Sequence, residues 1–487
     1  MGDIIKVLDE RIKYSKYINH VGLIVADIIG FIIAFFVAHD IMLVTNAKHA
    51  MTFGQQLNMY HGDEWLYSSF LLMLFGIVFF ALYFRHYLYR KPFWSELKEV
   101  LSTVCVLAVA ELSLIALAEK SMNHERWAIL WGVMMVSLPL SRSVMKRILN
   151  HFGFWQWPTF IIGCGENARE AYLALKSEKR LGFDVQAFIA PDEGRYESPI
   201  EGLPLLRVEI ASLSNMKKAQ LFIALEYNQY ELCDTWIRKL AANKLRNISV
   251  MPSLRGIPLH GADISHFFSH EVLMLRVRNN LARRSARIVK RSFDVIVSTL
   301  LLLILSPVML YIARKVSRDG GAPTYGHERV GQHGEKFKCL KFRSMFSNSQ
   351  EVLQELLEND PEARAEWEKD FKLKNDPRIT PIGHFIRKTS LDELPQLWCV
   401  LKGEMSLVGP RPVVQQELEQ YYGENADYYL MAKPGMTGLW QVSGRNDVDY
   451  DTRIYLDGWY VKNWSMWYDI AMLFKTVGVV LRSDGAY

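Results

Sequence analysis

Four apolar runs fill the first 150 residues of this 487-residue chain, at about residues 21–44, 65–88, 100–118 and 127–140. Each approaches the ~20 helical residues needed to cross the hydrocarbon core of a bilayer. Four in succession limit the choice to a membrane bundle or an unusually apolar set of buried helices. The chain is 50% hydrophobic yet 22% charged, so its apolar and polar residues are segregated rather than mixed. The third run is the weakest, because Glu111 interrupts it.

Positive charge gives the bundle a direction. Arg11, Lys13 and Lys16 precede the first run, Arg85, Arg90, Lys91 and Lys98 separate the second from the third, and Arg142, Lys146 and Arg147 follow the fourth. The other two connections are poorer in Lys and Arg. The positive-inside tendency therefore places both ends of the bundle in the cytoplasm. The first run is longer than a signal-peptide core and lacks a small-residue cleavage site, so it reads as an anchor. The five cysteines form no CxxC pair, which argues against a disulfide framework or zinc site. The net charge of +5 lies in clusters beside apolar runs, a pattern that suits an anionic membrane surface and not nucleic acid.

From Trp157 the pattern alternates between short apolar strands and helix-like stretches, as in a small α/β unit with a parallel sheet. Gly163-Cys-Gly165 follows its first strand and opens a helix, which is the context of a dinucleotide turn. Its third glycine position holds Ala168, and no acidic residue ends a second strand at a suitable distance. Tyr172 and Lys176 have dehydrogenase-like spacing but follow the turn too closely to reach a nicotinamide. A fold retained for packing or assembly is the plainer reading. A fifth apolar run, residues 293–313, is bracketed by Arg283, Arg284, Arg287, Lys290 and Arg291 before it and by Arg314, Lys315 and Arg318 after it. Its Ser306-Pro307 favours a kink, so this helix is expected to enter the membrane and return to the same face.

The chemistry-bearing residues lie beyond that run. Gly331 and Gly334 suggest a hairpin turn before Lys341-Phe342-Arg343-Ser344-Met345. Strand alternation would set Lys341 and Arg343 on one face, where two cations call for an anion such as a diphosphate. Ser390-Leu391-Asp392-Glu393-Leu394-Pro395 follows Arg387 and Lys388. Ser390 and Glu393 have capping-box spacing, and Pro395 weakens that reading. An ionisable carboxylate, a second acid for a divalent metal and nearby cations are what phosphoryl transfer through a covalent intermediate requires. Arg411 in Gly409-Pro410-Arg411-Pro412 and Arg445 in Gly444-Arg445-Asn446 sit on rigid turns suited to anions, and Asp457 is a candidate second metal ligand.

These motifs, in this order over about 120 residues, resemble the bacterial sugar transferase family, the monotopic polyprenyl-phosphate hexose-1-phosphate transferases. With the bundle and α/β unit before them, the whole chain resembles the large members. The resemblance implies that Asp392 is the nucleophile, that Glu393 is its partner and binds Mg²⁺, and that Arg387 binds phosphate. Lys341, Arg343 and Arg411 would line the site, and Asp457 would be a further metal ligand. It implies transfer of hexose-1-phosphate, galactose-1-phosphate before glucose-1-phosphate, from a UDP-sugar to undecaprenyl phosphate. UMP would be released, as the first membrane step of O-antigen, capsule or exopolysaccharide synthesis. The expected architecture is a membrane protein with three parts. Residues 1–150 form four transmembrane helices, residues 151–275 a Rossmann-like α/β domain, and residues 276–487 a mainly α catalytic domain with a re-entrant helix at about 291–316. The expected location is the bacterial inner membrane, with the catalytic domain facing the cytoplasm. A homodimer is left open. A membrane nucleotide-sugar dehydratase using NAD would need a full glycine loop and a distant Tyr-x-x-x-Lys, and a non-enzymatic scaffold or chain-length regulator would not need Asp392-Glu393 amid four cations.

Overall fold

The computed structural model describes residues 2–45, 64–117, 124–207, 219–245, 247–254, 263–266, 273–276, 280–281, 283–360, 364, 376–443 and 449–482. The chain divides into two compact units, Met1–Leu254 and Arg255–Tyr487.

The first unit begins with four long helices: α1 (Gly2–Thr45), α2 (Glu64–Leu82), α3 (Phe93–Leu117) and α4 (His124–His151). Within them Tyr17–Ala38, Phe93–Leu117 and His124–His151 are long and apolar enough to cross a membrane, and Phe70–Leu82 of α2 is a shorter apolar stretch. The second apolar run of the sequence stops being helix at Leu82. Residues 83–92 turn instead, with Arg85 at φ 53°, and lay His86 and Tyr87 back into the bundle. Small residues let α1 and α4 meet closely: Ala34 and Ala38 are fully buried, and Ser137 Oγ donates to Gly30 O at 2.8 Å. Ile29, Ile32, Ile33 and Val37 of α1 face outward. An apolar outer surface on helices with a close-packed small-residue seam is what lipid contact selects. Glu111 is buried and accepts the Trp131 indole N–H at 2.6 Å, which is how the third helix tolerates it.

A charged network crosses the bundle. Asp27 on α1 accepts two bonds from Arg142 on α4, at 2.5 and 2.7 Å, and one from Tyr87 at 2.6 Å. Arg142 also reaches His86 at 2.8 Å and Glu96 at 3.2 Å, and Lys146 pairs with Glu96. His86 and Lys91 both meet Glu99. Each charge has a partner of opposite sign, as burial demands.

An α/β unit follows: β1 (Trp157–Ile162), α5 (Glu166–Ser177), β2 (Phe183–Ile189), β3 (Leu205–Leu206), β4 (Gln220–Ile223), α6 (Tyr230–Ala242) and β5 (Ile248–Val250). The five strands are parallel in the order β3-β2-β1-β4-β5, so the order reverses between β1 and β4. Arg90, from the turn after α2, ties this unit to the bundle. It donates to Leu181 O and Gly182 O, both at 2.8 Å, and its guanidinium lies over Trp155 and Trp157.

The second unit holds a hairpin of β6 (Asp263–His266) and β7 (Leu273–Arg276), then α7 (Arg284–Val316). It continues with a hairpin of β8 (Thr324–Val330) and β9 (Lys336–Phe342), then α8 (Ser349–Asn359), α9 (Pro381–Lys388) and α10 (Gln396–Lys402). Last come β10 (Ser406–Val408), α11 (Ala426–Met431), β11 (Gly435–Thr437), α12 (Tyr450–Lys462) and α13 (Met466–Arg482); one-turn helices are left unnumbered. The sequence expected helix over residues 348–374; α8 ends at Asn359, and most of the rest lies outside the described residues.

Helix α7 is stitched to the polar part of this unit at both ends. Near its start Arg291 donates to Val400 O and Leu401 O, both at 2.6 Å, which caps the carboxyl end of α10. Asp294 accepts from Ser406 Oγ at 2.8 Å, and Lys290 pairs with buried Asp469 at 2.6 Å. Near its end Ile312 and Val316 pack with Phe342 and Ile386. Between the ends, Leu303 and Ile304 are 68% and 70% exposed, just before Pro307. Residues 284–319 are long and apolar enough to cross a membrane.

Candidate active site

Strand β9 and the segment following α9 build the site. Alternation along β9 puts Phe337 and Cys339 in the core, and Lys341 falls on that inward face. Past the strand, Gly383 of α9 packs so tightly on the Ser344 carbonyl that no Cβ would fit. Thr380 Oγ1 caps α9 by accepting from Gly383 N at 2.9 Å, with Pro381 at the first helical position. Arg387, in the last turn of α9, donates from Nε to Ser344 Oγ at 2.8 Å. These contacts hold the end of β9 against the chain that leads to Asp392.

Ser390 then takes a left-handed conformation, φ 55°, and the chain reverses into a single 3₁₀ turn, Leu391–Glu393. A non-glycine residue in that region carries strain that the surrounding structure must hold. Ser390 makes no side-chain cap, so the capping box suggested by its spacing is not formed; the next helix, α10, starts only after Pro395. Lys341 Nζ lies 2.7 Å from Glu393 Oε1 and 3.7 Å from Asp392 Oδ2. Burial alone would lower the Lys341 pKa, but the Glu393 and Asp392 carboxylates more than offset it and hold the ammonium above its usual value. Asp392 behaves otherwise. Burial pushes its carboxyl above the ordinary range, Lys341 pulls it down, and neighbouring Glu393 pushes it up again. Among the described residues no side chain hydrogen-bonds to Asp392; its carboxylate accepts from its own backbone N–H and otherwise faces only the Lys341 ammonium.

The other expected residues divide. Arg387 comes close enough to lower the Asp392 pKa through its charge. Arg343 does not join Lys341. Strand β9 ends at Phe342, and the Arg343 guanidinium turns to both oxygens of Asp319 and to the carbonyls of Ala322, Met345 and Val316. The anion it needs is Asp319, a residue no spacing singled out, and the diphosphate expected between Lys341 and Arg343 finds the second cation already occupied. Arg411 belongs to a second cluster. Its guanidinium lies 5.2 Å from the Trp440 ring, and Arg453 lies over the same ring at 4.5 Å. Asp457 sits there too, 1% exposed, accepting from Tyr422 Oη at 3.0 Å, with its pKa pushed up to about 7 by burial. Among the described residues no three Asp, Glu, His or Cys side chains gather to hold a metal, so Asp457 does not join Asp392 and Glu393. Flanked by Tyr422, Arg411 and Arg453, it is poorly placed for a dication.

The two proline- and glycine-rich motifs do come together. Gly435 N donates to Pro410 O at 2.8 Å, and a Cβ on Gly409 or Gly435 would strike the facing backbone. Gly444, Arg445 and Asn446 lie outside the described residues. Sequence reasoning missed Ser344, Asp319, Tyr422 and Arg453, because each acts through contacts between segments distant in the chain.

In the first unit, Gly163 takes φ 139° against the Ala224 carbonyl and Gly165 is the N-cap of α5. The Glu226 carboxylate fills the space beside Gly165, and Oε1 accepts from Asn167 N at 2.8 Å. A carboxylate thus occupies the helix start where a dinucleotide phosphate would dock. Lys176 lies 5.4 Å from the ring of Tyr172, an i, i+4 pair packed on itself.

Residues 285–483 match the family described as bacterial sugar transferase. The chain is 55% identical over 421 residues to a UDP-galactose-lipid carrier transferase of Erwinia amylovora, covering 86% of this chain and 88% of that protein. It is 55% identical over 427 residues to an undecaprenyl-phosphate galactose phosphotransferase of Salmonella typhimurium, covering 87% and 89%. An uncharacterized sugar transferase of Haemophilus influenzae is 49% identical over 478 residues, covering 98% of this chain and 100% of that protein. Likeness at this level, extending through the bundle and the α/β unit as well as the residues around Asp392, means that the chain belongs to the bacterial sugar transferase family and is an enzyme of that family.

Proposed function

We propose that this enzyme moves galactose-1-phosphate from UDP-galactose to undecaprenyl phosphate by way of a phosphosugar-aspartate. The observation that carries the reading is Asp392: a carboxylate free of side-chain hydrogen bonds, with a cation 3.7 Å away, on a turn set by strained Ser390. An Asp392 oxygen attacks the phosphorus that bears the sugar, and the bond to the bridging oxygen breaks with release of UMP. An oxygen of the lipid phosphate then attacks the same phosphorus, frees the carboxylate and leaves a lipid diphosphosugar. Lys341 balances negative charge as the donor approaches, and Arg387, held by Ser344, adds a second cation. Asp392 and Glu393 suit Mg²⁺, which takes one or two carboxylates plus substrate phosphate oxygens. When bound it would offset charge on the diphosphate. Galactose is the sugar named for the two relatives at 55% identity, whose likeness spans most of the chain.

The membrane reading belongs to the same proposal. Helix α7 enters the bilayer and returns, with its exposed apolar tip around Leu303 and Ile304 and Pro307 at the bend. Its attachment to one polar unit at both ends supports this, as does basic charge on both sides. The α/β unit is Rossmann-like, supported by its strand order, and serves packing or assembly. The enzyme resides in the bacterial inner membrane with Asp392 on the cytoplasmic face, in a pathway building O-antigen, capsule or exopolysaccharide. Membranes holding the enzyme, given UDP-galactose labelled in the sugar and undecaprenyl phosphate, should yield labelled lipid and an equal amount of UMP. Transfer from UDP-glucose at an equal or higher rate would overturn the choice of sugar.

A further inference from the structure

We propose that the first unit carries a second lipid site, separate from the catalytic residues, that holds the phosphate headgroup of a membrane lipid. A cavity of about 210 Å³ opens between α3, α4 and the start of the α/β unit. Lys91, Arg142 and Lys146 reach it, but each is already paired: Lys91 with Glu99, Arg142 with Asp27, Lys146 with Glu96. Three more cations line it, and among the described residues none of them pairs with a carboxylate. Arg147 is on α4, and Lys179 and Arg180 are on the turn after α5; Arg180 lies over the Phe93 ring at 4.6 Å. The cavity therefore keeps a surplus of positive charge after the buried network is satisfied. A protein holds such a surplus in one concave place at a cost in repulsion, which an anion relieves.

The walls decide which anion. From Arg147 the cavity runs along α4 to Pro139, a distance of about 12 Å at 1.5 Å per residue. Over that distance the lining changes from basic to apolar: Leu97 and Val100 on α3, and Pro139 on α4. Free phosphate has no use for that wall. A lipid places its phosphate at the basic mouth and its first chain carbons on the apolar side, in line with the helices. Because the site takes residues from both the bundle and the α/β unit, a bound lipid would also brace their junction.

The test uses the full chain reconstituted in nanodiscs of phosphatidylcholine with a minor fraction of phosphatidylglycerol. After release into detergent, the retained phosphatidylglycerol is counted by native mass spectrometry. At roughly five-fold in affinity per cation, the triple variant Arg147→Gln/Lys179→Gln/Arg180→Gln should bind it about a hundred-fold more weakly. It should also lose the rise in thermal midpoint that phosphatidylglycerol gives the parent enzyme, with sugar-phosphate transfer unaltered. Lys179→Glu alone, on an exposed turn outside the buried network, should act in the same direction and guards against misfolding of the triple variant. Unchanged retention in both variants would overturn the site. Displacement of the lipid by millimolar inorganic phosphate would overturn the lipid assignment in favour of a free-phosphate site.

Discussion

The molecule contains two clusters built from the same kinds of side chain, and they are finished differently. In the bundle, Asp27, Glu96, Arg142 and Lys146 saturate one another, and Tyr87 and His86 complete the shell. Around Asp392 the pairing stops short. Lys341 bonds to Glu393 and only approaches Asp392, whose carboxyl is held above its ordinary pKa chiefly by burial. A saturated cluster stores stability, because removing one partner strands a buried charge. An unsaturated one, on a turn led by a left-handed serine, keeps a reactive group in waiting. Buried charge alone does not mark a site; incomplete pairing does.

That contrast can be broken by mutation. Asp392→Asn should reduce both UMP release and lipid product by at least about a thousand-fold while leaving the thermal midpoint nearly unchanged, since no side-chain hydrogen bond is lost. Arg142→Met should do the reverse. It strands Asp27 and should cost about 3–5 kcal/mol, read as a lowered thermal midpoint in detergent, with transfer per folded molecule close to normal. If the bundle variant kept its stability, or the Asp392 variant unfolded, the comparison would fail.

Lys341→Met should lower transfer about a hundred-fold and also change its pH dependence. The nucleophile must be ionised, so activity is lost as pH falls through the Asp392 pKa, and burial already sets that acid limb above the usual carboxylate range. Removing Lys341 removes the leading influence that lowers this pKa, so the limb should move to higher pH. A profile that keeps its acid limb would show that Lys341 does not act on Asp392. A smaller effect is expected at Ser390. Glycine there accepts φ 55° and should stay within about two-fold of the parent, whereas valine should lose roughly 1–3 kcal/mol of the turn's stability, read in both activity and thermal midpoint.

How much of this was legible in the sequence depended on range. Apolar runs, the strand–glycine–helix turn and the Lys341-to-Arg411 motifs are local patterns, and the elements around them formed close to where periodicity put them. The second apolar run, residues 65–88, ends as helix at Leu82, although Tyr83, Phe84, Tyr87 and Leu88 carry apolar side chains past it around Arg85 and His86. The positive φ of Arg85 instead serves a contact between His86 and Arg142 far along the chain. Arg343 misled for the same reason: alternation describes a strand, and the strand had ended one residue earlier. Asp319, Ser344, Tyr422 and Glu226 carry no local signal, since their roles exist only once distant segments meet.

The central claim is that Asp392 becomes covalently joined to the phosphosugar. Enzyme incubated with UDP-galactose and no lipid acceptor, quenched and digested, would be read by peptide mass spectrometry. The account predicts a hexose-phosphate adduct on the peptide containing Asp392, formed with one UMP per adduct and lost when undecaprenyl phosphate is added. An adduct on any other residue, or UMP release that requires the lipid acceptor, would contradict it.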